Sequence, residues 1–192
     1  MVDTTTAQTT QGEMLPKNAE ASVAIFAGGC FWCMEPPFDK TPGVLATISG
    51  YTGGSLANPT YGQVSDGGTG HYEALQVTYD PAKVTYAQLL DVFWRNVDPL
   101  DAGGQFCDRG NQYRAAIFYA TDEQKVLADS SKRAIEQSAR FRKPIVTPVV
   151  PAAVFYPAED YHQNYYKKNP IRYRVYSWNC GRARRLSKVW GS

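Results

Sequence analysis

The chain alternates short apolar runs with polar and glycine-rich segments, and the spacing of its apolar residues predicts strands and helices. Four runs have the length and the β-branched and aromatic content of strands: Ser22 to Ala27, 44–51, 72–79 and Tyr113 to Tyr119. A glycine-rich loop over 53–70 separates the second and third runs. Long loops inside a compact domain are often functional, so this loop is a candidate part of a site.

Two longer segments have helical spacing. Apolar side chains recur at intervals of three and four at Tyr86, Leu89, Leu90, Phe93 and Val97, which predicts a helix whose apolar face covers a sheet. A capping-box pattern from Thr121 to Gln124 opens another helix that we expect to run to about Phe141. A short helix is predicted over 160–168. The run from Val149 to Tyr156 is a possible edge strand, because Pro151 cannot donate a ladder hydrogen bond.

The order strand, turn and helix, strand, strand, helix, strand is that of a split βαβ unit. The sequence therefore predicts an α+β, ferredoxin-like, two-layer core with long loops and an extended C-terminal tail. No internal repeat or second domain is visible. We expect a flexible segment over 1–20 and one domain over 21–192, of which 170–192 forms the tail.

The size of the chain and its cysteines narrow the class of protein. A chain of 192 residues can bury a core without disulfide support. Its four cysteines, at 30, 33, 107 and 180, are scattered around one close pair, which favours chemistry in a reducing compartment over a secreted scaffold. No membrane-spanning run and no intact signal peptide are visible, although residues 1–20 could be the remnant of a removed targeting segment. A cytoplasmic location is the expectation.

Basic residues are concentrated near the C-terminus. The net charge is +2, yet the stretch from Lys167 to Trp190 holds eight Lys and Arg residues and no acid. A basic tail can bind nucleic acid, but no nucleic-acid module accompanies it, and a solvated tail is the simpler interpretation. Because the stretch surrounds Cys180, its charge would favour a thiolate there or attract an acidic redox partner.

The most reactive candidate is Cys30, in the sequence Gly-Gly-Cys-Phe-Trp-Cys that ends at Cys33. The two glycines follow the first strand and should turn the chain so that Cys30 stands accessible near a helix start. Helix N-terminal N–H groups can lower a thiol pKa from about 8.5 to roughly 3.5–7.5. The alternative is an inert buried cysteine. Since Pro36 and Pro37 disfavour a helix, we expect the turn to stay irregular up to about Glu35.

Several separated motifs resemble one enzyme family. Besides the Gly-Cys-Phe-Trp-Cys sequence, they are Gly-His-Tyr-Glu at 70–73, the segment from Gly104 to Arg114, and Tyr-His-Gln at 161–163. Over roughly residues 22–170 the chain resembles the peptide methionine sulfoxide reductases of the A type. The resemblance implies reduction of methionine sulfoxide, free or in proteins, with specificity for the S epimer. No cofactor and no metal are expected.

The chemistry of this reaction accounts for the residue types. A thiolate that attacks a sulfoxide sulfur pushes electrons onto an oxygen, which leaves poorly unless it is protonated or strongly hydrogen-bonded. The resemblance implies that Cys30 is the nucleophile, that Glu73 is the acid and that Tyr61 and Tyr113 hold the oxygen. Burial in an aromatic pocket can keep such a carboxyl protonated at neutral pH. Asp108 is expected to organise the pocket, or else to serve only as a turn residue.

Two aromatic residues are candidates for substrate binding. Phe31 and Trp32 could recognise the S-methyl group, because flat apolar rings accept a methyl and exclude water; ordinary core packing is the alternative. The remaining motif residues are expected to be structural members or to frame the site: His71, Tyr161, His162 and Gln163.

Sulfoxide reduction leaves a sulfenic acid, which a second thiol condenses to a disulfide. The resemblance implies Cys180 as this resolving residue, carried to Cys30 by a mobile tail, and thioredoxin as the reductant of the Cys30–Cys180 disulfide. Cys33 is the second choice, since on a helical turn its side chain would point away. Cys107 is expected to be a small buried residue.

Two other functions remain open from the residues alone. A thioredoxin-like thiol–disulfide oxidoreductase would use Cys30 and Cys33 as a Cys-x-x-Cys pair. A zinc-binding interaction module would use all four cysteines, although the second close pair typical of such sites is absent. Oxidised proteins or free methionine sulfoxide as substrates, thioredoxin as partner, and a monomer that contacts neither nucleic acid nor membrane are the expectations.

Overall fold

The computed structural model describes residues 21–191. Their strands are β1 (Ser22–Gly28), β2 (Val44–Thr52), β3 (Tyr72–Tyr79), β4 (Gly104–Gln105), β5 (Asp108–Arg109), β6 (Ala115–Tyr119), β7 (Val149–Pro151) and β8 (Tyr156–Pro157). Their helices are α1 (Phe31–Asp39), α2 (Tyr61–Ser65), α3 (Tyr86–Arg95), α4 (Asp122–Gln137), α5 (Tyr165–Lys168), α6 (Pro170–Cys180) and α7 (Arg182–Trp190), with a 3₁₀ turn over Asn111–Tyr113.

The main sheet has the strand order β7-β6-β1-β3-β2-β8. Its four inner strands, β6-β1-β3-β2, pair antiparallel throughout. Numbered among themselves they run 4-1-3-2, the order of a split βαβ core. The predicted α+β class is therefore confirmed. The strands β4 and β5 form a separate two-residue hairpin.

The core lies between the sheet and the helices α1, α3 and α4. Phe26 of β1 stacks on Phe38 of α1 and on Phe93 of α3, with ring centroids 5.2 and 5.3 Å apart. The helix α3 begins where the pattern requires, because Thr85 and Gln88 form a reciprocal capping box. Its predicted apolar face is buried in this cluster. On the other face of the sheet, small side chains such as Ala27 pack under the segment after β7.

The expectation of an irregular turn up to Glu35 is wrong. The helix α1 begins at Phe31 and continues through Pro36 and Pro37 to Asp39. The two prolines remove only the N–H groups that would bond to the carbonyls of residues 32 and 33. Phe31 and Phe38 are buried on this helix, so tertiary packing offsets the loss.

The C-terminal segment is helical where the sequence analysis expects an extended tail. The helices α6 and α7 are joined at Gly181, which adopts a left-handed conformation with φ of 67°. Three residues of α7 are buried, and the Trp190 indole donates a hydrogen bond of 2.9 Å to the Val97 carbonyl. The basic stretch therefore packs against the core through one face and exposes the other.

Other boundaries shift by a few residues. The helix α4 begins at its predicted cap, where the Thr121 hydroxyl accepts from the Gln124 N–H, but it ends at Gln137 and not near Phe141. The run from Val149 to Tyr156 is not one strand. It divides into β7 and β8, which lie at opposite edges of the sheet, and Pro151 stands on an edge strand as predicted.

The sheet register brings the predicted motifs to one end of the sheet. Phe26 pairs with Leu75, so the end of β1 runs beside the start of β3, where Glu73 lies. Gly28 also pairs with Ala115, the first residue of β6, and Tyr51 of β2 pairs with Glu73. This end of the sheet holds the site. Within residues 21–191 no helix is long and apolar enough to cross a membrane.

Candidate active site

A cavity of about 80 Å³ opens at this end of the sheet. It is small and is lined mainly by aromatic rings around one sulfur and two carboxyl groups. The lining residues are Cys30, Phe31, Trp32, Tyr61, Glu73, Asp108, Tyr113 and Tyr176. Every predicted catalytic and substrate-binding residue is in this set, and Tyr176 is added to it. The roles assigned to these residues stay predictions.

Cys30 caps the N-terminus of α1, directly after the glycine turn. Gly29 has φ of +83° and lies so close to Gln105 that a Cβ would come within 2.6 Å of its side chain, so this turn requires glycine. The prediction that Cys30 is an accessible, ionised thiol is wrong. Only 6% of Cys30 is exposed, and burial, reinforced by the neighbouring Cys33 and Glu73, raises the thiol pKa well above its usual value.

Cys33 lies on α1, and its side chain interacts with that of Cys30. The expectation that it would point away from Cys30 is therefore wrong. Both thiols are free and buried. Interaction with the Cys30 side chain lowers the pKa of Cys33 against the effect of burial, and the charge of Arg182 acts in the same direction. The two thiols therefore form a coupled pair in which Cys30 holds its proton more tightly.

Arg182 is a buried cation whose charge acts on Cys33. Its guanidinium donates to the carbonyls of Gly28 and Asn96, at 3.3 and 2.6 Å, and contacts the Met34 sulfur at 3.1 Å. The Phe106 ring covers it, with the guanidinium carbon 4.5 Å from the ring centroid. These partners are all uncharged. The charge of Arg182 therefore acts on the Cys33 thiol, whose pKa it lowers, and on the Asp108 carboxyl.

Glu73 is buried, with its carboxyl turned toward the start of α1. Its Oε2 accepts a hydrogen bond of 3.0 Å from the Phe31 backbone N–H. Burial raises the pKa of this carboxyl to about 8, although the Phe31 N–H acts in the opposite direction. The nearby charge of Asp108 raises it further. Glu73 is therefore protonated at neutral pH and can donate a proton into the cavity.

Two tyrosines line the cavity together with Glu73. Tyr61 is the first residue of α2, in the glycine-rich loop, and its backbone N–H is fixed by a 2.8 Å hydrogen bond to Glu159. Tyr113 ends the 3₁₀ turn before β6. Burial raises the pKa of Tyr61 to about 12 and raises that of Tyr113 as well. Both hydroxyls therefore stay protonated and can donate to an oxygen.

Trp32 is held by three contacts that fix the plane of its ring. The ring stacks on Tyr165 with centroids 3.7 Å apart and an interplanar angle of 7°, and Tyr176 meets it edge-on at 5.9 Å. Its indole N–H donates to Nδ1 of His162 at 3.0 Å. Burial lowers the pKa of His162, which is therefore a neutral acceptor. As predicted for His162, its contacts are those of a structural member.

The other framing residues lie around this centre. Gln163 accepts from the Ser49 N–H and donates to the Ser49 carbonyl, at 2.9 and 2.8 Å, so it holds its loop against β2. His71 is buried and accepts from the Gly54 N–H at 3.1 Å, inside the glycine-rich loop. Tyr161 is 57% exposed, and its ring lies against the His162 ring with centroids 4.2 Å apart.

The structure corrects the expectations for Cys107 and for the partner of Cys180. Cys107 is exposed, and it forms a disulfide with Cys180. The predicted Cys30–Cys180 disulfide is therefore not the one formed here. Cys107 stands at the tip of the β4–β5 hairpin, between Phe106 and Asp108. The sequence analysis missed this pair because nothing in the local pattern separates an exposed hairpin tip from a buried turn.

Asp108 connects the cavity with the disulfide. Its Oδ2 accepts a hydrogen bond of 2.6 Å from the Tyr176 hydroxyl. The same carboxyl lies 3.7 Å from the Cys107 sulfur and 3.9 Å from the Cys180 sulfur. Burial raises the pKa of Asp108, although Tyr176 and Arg182 oppose it. The Asp108–Tyr176 pair thus separates Cys30 from the disulfide by one layer of side chains.

The comparison with protein families identifies the family of this chain. Residues 22–192 match the model of the family described as peptide methionine sulfoxide reductase. The chain belongs to the peptide methionine sulfoxide reductase family. This match extends over the C-terminal helices, whereas the resemblance found in the sequence covers roughly residues 22–170.

Individual relatives agree with the family assignment. The peptide methionine sulfoxide reductase MsrA of Bacillus subtilis is 54% identical over 170 residues, which are 88% of this chain and 96% of that protein. The reduced form of Mxr1 from Saccharomyces cerevisiae is similar in structure, with a TM-score of 0.72, 33% identity, and coverage of 79% of this chain and 87% of that one. Mxr1 in complex with Trx2 matches with a TM-score of 0.52, 25% identity and coverage of 80% and 91%.

Tyr176 is the cavity residue of this methionine sulfoxide reductase that sequence reasoning missed. The stretch around it looks like a solvated basic tail, and its periodicity is hidden because both faces of α6 carry apolar residues. Tyr173, Tyr176 and Cys180 lie on the inner face. The outer face carries Ile171, Val175 and Trp178, which are all exposed. Helical spacing within a basic segment is the signal that could have revealed it.

Proposed function

We propose that this methionine sulfoxide reductase uses Cys30 as nucleophile and Glu73 as acid to reduce methionine-S-sulfoxide, free or in proteins. The observation that carries the proposal is the carboxyl of Glu73, buried in the same cavity as the Cys30 sulfur and protonated at neutral pH. A protonated acid opposite a thiol is what departure of a sulfoxide oxygen needs. Tyr61 and Tyr113 supply further donors to that oxygen.

The first step transfers two electrons from Cys30 to the substrate. The Cys30 sulfur attacks the sulfoxide sulfur while Glu73 donates its proton to the oxygen. The protonated oxygen leaves the substrate sulfur and bonds to the Cys30 sulfur, the sulfur–sulfur bond formed by the attack breaks, and the thioether departs with that electron pair, so Cys30 becomes a sulfenic acid. The thiol proton of Cys30 restores Glu73. Because burial holds that thiol protonated at rest, the proton leaves Cys30 as its sulfur attacks the substrate.

The aromatic wall supports recognition of the S-methyl group. Phe31 is buried against Tyr51, with ring centroids 5.9 Å apart, and Trp32 is fixed by its stack on Tyr165. Rings that cannot rotate offer an apolar surface at low entropic cost. We assign Phe31 and Trp32 to the methyl group and Asp108 to the organisation of the pocket through Tyr176.

The later steps lead to the disulfide that the structure contains. The Cys180 thiol attacks the Cys30 sulfenic acid, releases water and forms a Cys30–Cys180 disulfide. A Cys107 thiolate then attacks the Cys180 sulfur, which frees Cys30 as a thiolate and leaves Cys107–Cys180. The free Cys30 and the paired Cys107 and Cys180 support this order. Cys33 remains the alternative first resolving thiol, because it lies beside Cys30.

Thioredoxin is the proposed reductant of Cys107–Cys180, since a solved structure holds the relative Mxr1 in complex with Trx2. We propose the cytoplasm as the compartment, where thioredoxin keeps thiols reduced. Bacterial relatives and the free Cys30 and Cys33 support it. Fractionation of cells followed by immunoblotting tests the compartment, and recovery of the protein outside the cytoplasmic fraction would contradict it.

The two alternative functions have less support. A Cys-x-x-Cys oxidoreductase must expose its disulfide to protein substrates, whereas Cys30 and Cys33 are only 6% and 4% exposed. A four-cysteine zinc site needs four thiolates at one point. Among residues 21–191, the cysteine-containing group close enough to share an ion joins Cys107 and Cys180 with Asp108, and neither Cys30 nor Cys33 belongs to it.

Single-turnover kinetics test the proposed function. The reduced enzyme is mixed with one equivalent of one sulfoxide epimer without reductant, and the methionine formed is counted per enzyme. We expect about one equivalent from the S epimer, none from the R epimer, and none with Cys30→Ser. Turnover by Cys30→Ser, or reduction of insulin disulfides without reduction of sulfoxide, would overturn the assignment.

A further inference from the structure

A groove of about 530 Å³ lies outside the catalytic cavity and ends at the Cys107–Cys180 disulfide. Leu100 and Phe106 supply apolar lining, and Cys180 lines the groove at the disulfide. One wall is the exposed face of α7, where Arg184, Arg185 and Lys188 follow the helix at positions i, i+1 and i+4. The catalytic steps described above use none of these three cations.

The groove carries an excess of positive charge. Its acidic residues are already paired, because Asp98 accepts from Arg185 at 2.6 Å and Asp101 accepts from Arg109 at 2.6 Å. Within the described residues, no carboxylate oxygen comes within 4.0 Å of the Arg184 or Lys188 side chain. Two exposed cations therefore remain to act on a partner.

The backbone beside the disulfide is held in an unusual conformation. Phe106 has φ of 57°, which a bulky residue rarely adopts. Its ring is held in place over the Arg182 guanidinium, and this arrangement fixes the hairpin that presents Cys107. Strained backbone of this kind is retained mainly at functional sites.

We propose that this groove is the docking surface for a dithiol protein reductant whose active-site dithiol is flanked by acidic side chains, a chemistry that complements Arg184 and Lys188. The inference rests on the proposed function, in which Cys107–Cys180 is the disulfide to be reduced. The acidic side chains engage the face of α7, and apolar residues beside the dithiol contact Leu100 and Phe106. Opposite charges raise the rate of encounter more than they raise affinity.

Docking in the groove selects the sulfur that is attacked. The reductant thiolate attacks the Cys180 sulfur, because Cys180 lines the groove and Cys107 is not among the lining residues. A mixed disulfide forms, and Cys107 departs as a thiolate toward solvent. The second thiol of the reductant then attacks its own sulfur in the mixed disulfide and frees Cys180. The reductant loses two electrons and becomes a disulfide, and this chain gains two thiols.

Charge reversal with two reductants tests the proposal. Arg184→Glu/Lys188→Glu is compared with Lys83→Glu/Arg133→Glu, which changes the net charge equally at two exposed sites, one in the turn before α3 and one on α4. Turnover is driven by thioredoxin or by dithiothreitol, a small dithiol that needs no docking surface. We expect kcat/KM for thioredoxin to fall about tenfold in the groove variant at low salt, with unchanged dithiothreitol turnover and little effect in the control variant.

Each outcome decides a different claim. Equal thioredoxin kinetics in the groove variant and the wild type would overturn the docking surface and leave the proposed function intact. No sulfoxide reduction by the wild type with dithiothreitol would overturn the proposed function itself.

Ionic strength gives an independent measure that needs no variant. The wild-type kcat/KM for thioredoxin should fall as salt rises, because the Debye length shrinks from about 30 Å at 0.01 M to 8 Å at 0.15 M; no salt dependence contradicts the proposal.

Discussion

The Phe31 backbone N–H and the Glu73 carboxyl are joined by a hydrogen bond of 3.0 Å. This bond connects the start of α1, where Cys30 lies, to the start of β3. It fixes the distance between nucleophile and acid through backbone geometry rather than through flexible side chains. Because the helix N-terminus carries partial positive charge, it also tempers the rise in the Glu73 pKa that burial causes.

Replacing Glu73 by Gln should slow the first turnover by about 10² to 10³, because the amide accepts the Phe31 N–H as before but cannot donate an acidic proton to the sulfoxide oxygen. The measurement is methionine formed per enzyme in rapid-quench experiments near pH 7, with far-ultraviolet circular dichroism as the check on folding. A first-turnover rate equal to that of the wild type would remove Glu73 from proton transfer.

The protonation of Glu73 also predicts how stability depends on pH. Its pKa is about 8 in the folded state and near 4.5 for an unperturbed glutamate, so the folded state binds more protons between these values. The contribution of Glu73 to the free energy of unfolding is therefore fully present below about pH 4.5, and it is lost as pH rises through 8. Glu73→Gln lacks this loss. Urea unfolding at pH 5 and pH 8.5 should show the variant gaining stability relative to the wild type at the higher pH, and a constant difference would contradict the raised pKa.

The sequence predicts the sheet and the residues of the cavity better than it predicts their environment. Strands and the stripe of α3 follow from short-range periodicity, and the motif residues converge because the sheet register brings Tyr51, Glu73 and Gly28 to one end. The burial of Cys30 could not be predicted locally, because Tyr176 of α6 lies beside it and is more than 140 residues away in the chain. The sequence predicted an extended tail for that segment. Local propensity also misjudged Pro36, since packing of α1 outweighs two missing hydrogen bonds.

Tyr176 should contribute to the first step through its place between Cys30 and Asp108. Tyr176→Phe removes the 2.6 Å hydrogen bond to Asp108 and the hydroxyl beside Cys30. A hydrogen bond to a charged group contributes about 1.5–3 kcal/mol, so the first turnover should slow by roughly ten- to a hundredfold. The matched control is Tyr173→Phe, one turn earlier on α6 beside Cys33, which should leave that step nearly unchanged. Equal effects of the two changes would indicate general loosening of α6.

Cys107 should act only after the sulfoxide has been reduced. Cys107→Ser should still form about one methionine per enzyme but stop as Cys30–Cys180, because no thiolate remains to attack the Cys180 sulfur. Non-reducing peptide mapping after one turnover identifies the disulfide. In the wild type the same mapping should recover Cys107–Cys180. Recovery of Cys30–Cys33 in the variant would instead assign resolution to Cys33.

Arg182 should stabilise the thiolate of the coupled thiol pair. Arg182→Met removes the buried cation that favours ionisation of Cys33, so the pKa of this thiol should rise. Thiolate absorbance in the ultraviolet, followed against pH, should shift to higher pH in this variant. The control is Arg185→Met, three residues along α7, whose partner is Asp98 and not a thiol. Arg182 also donates hydrogen bonds to the carbonyls of Gly28 and Asn96, so the variant should be less stable as well. The titration is therefore followed under conditions in which the variant stays folded. An unshifted thiolate titration would leave Arg182 a purely structural role.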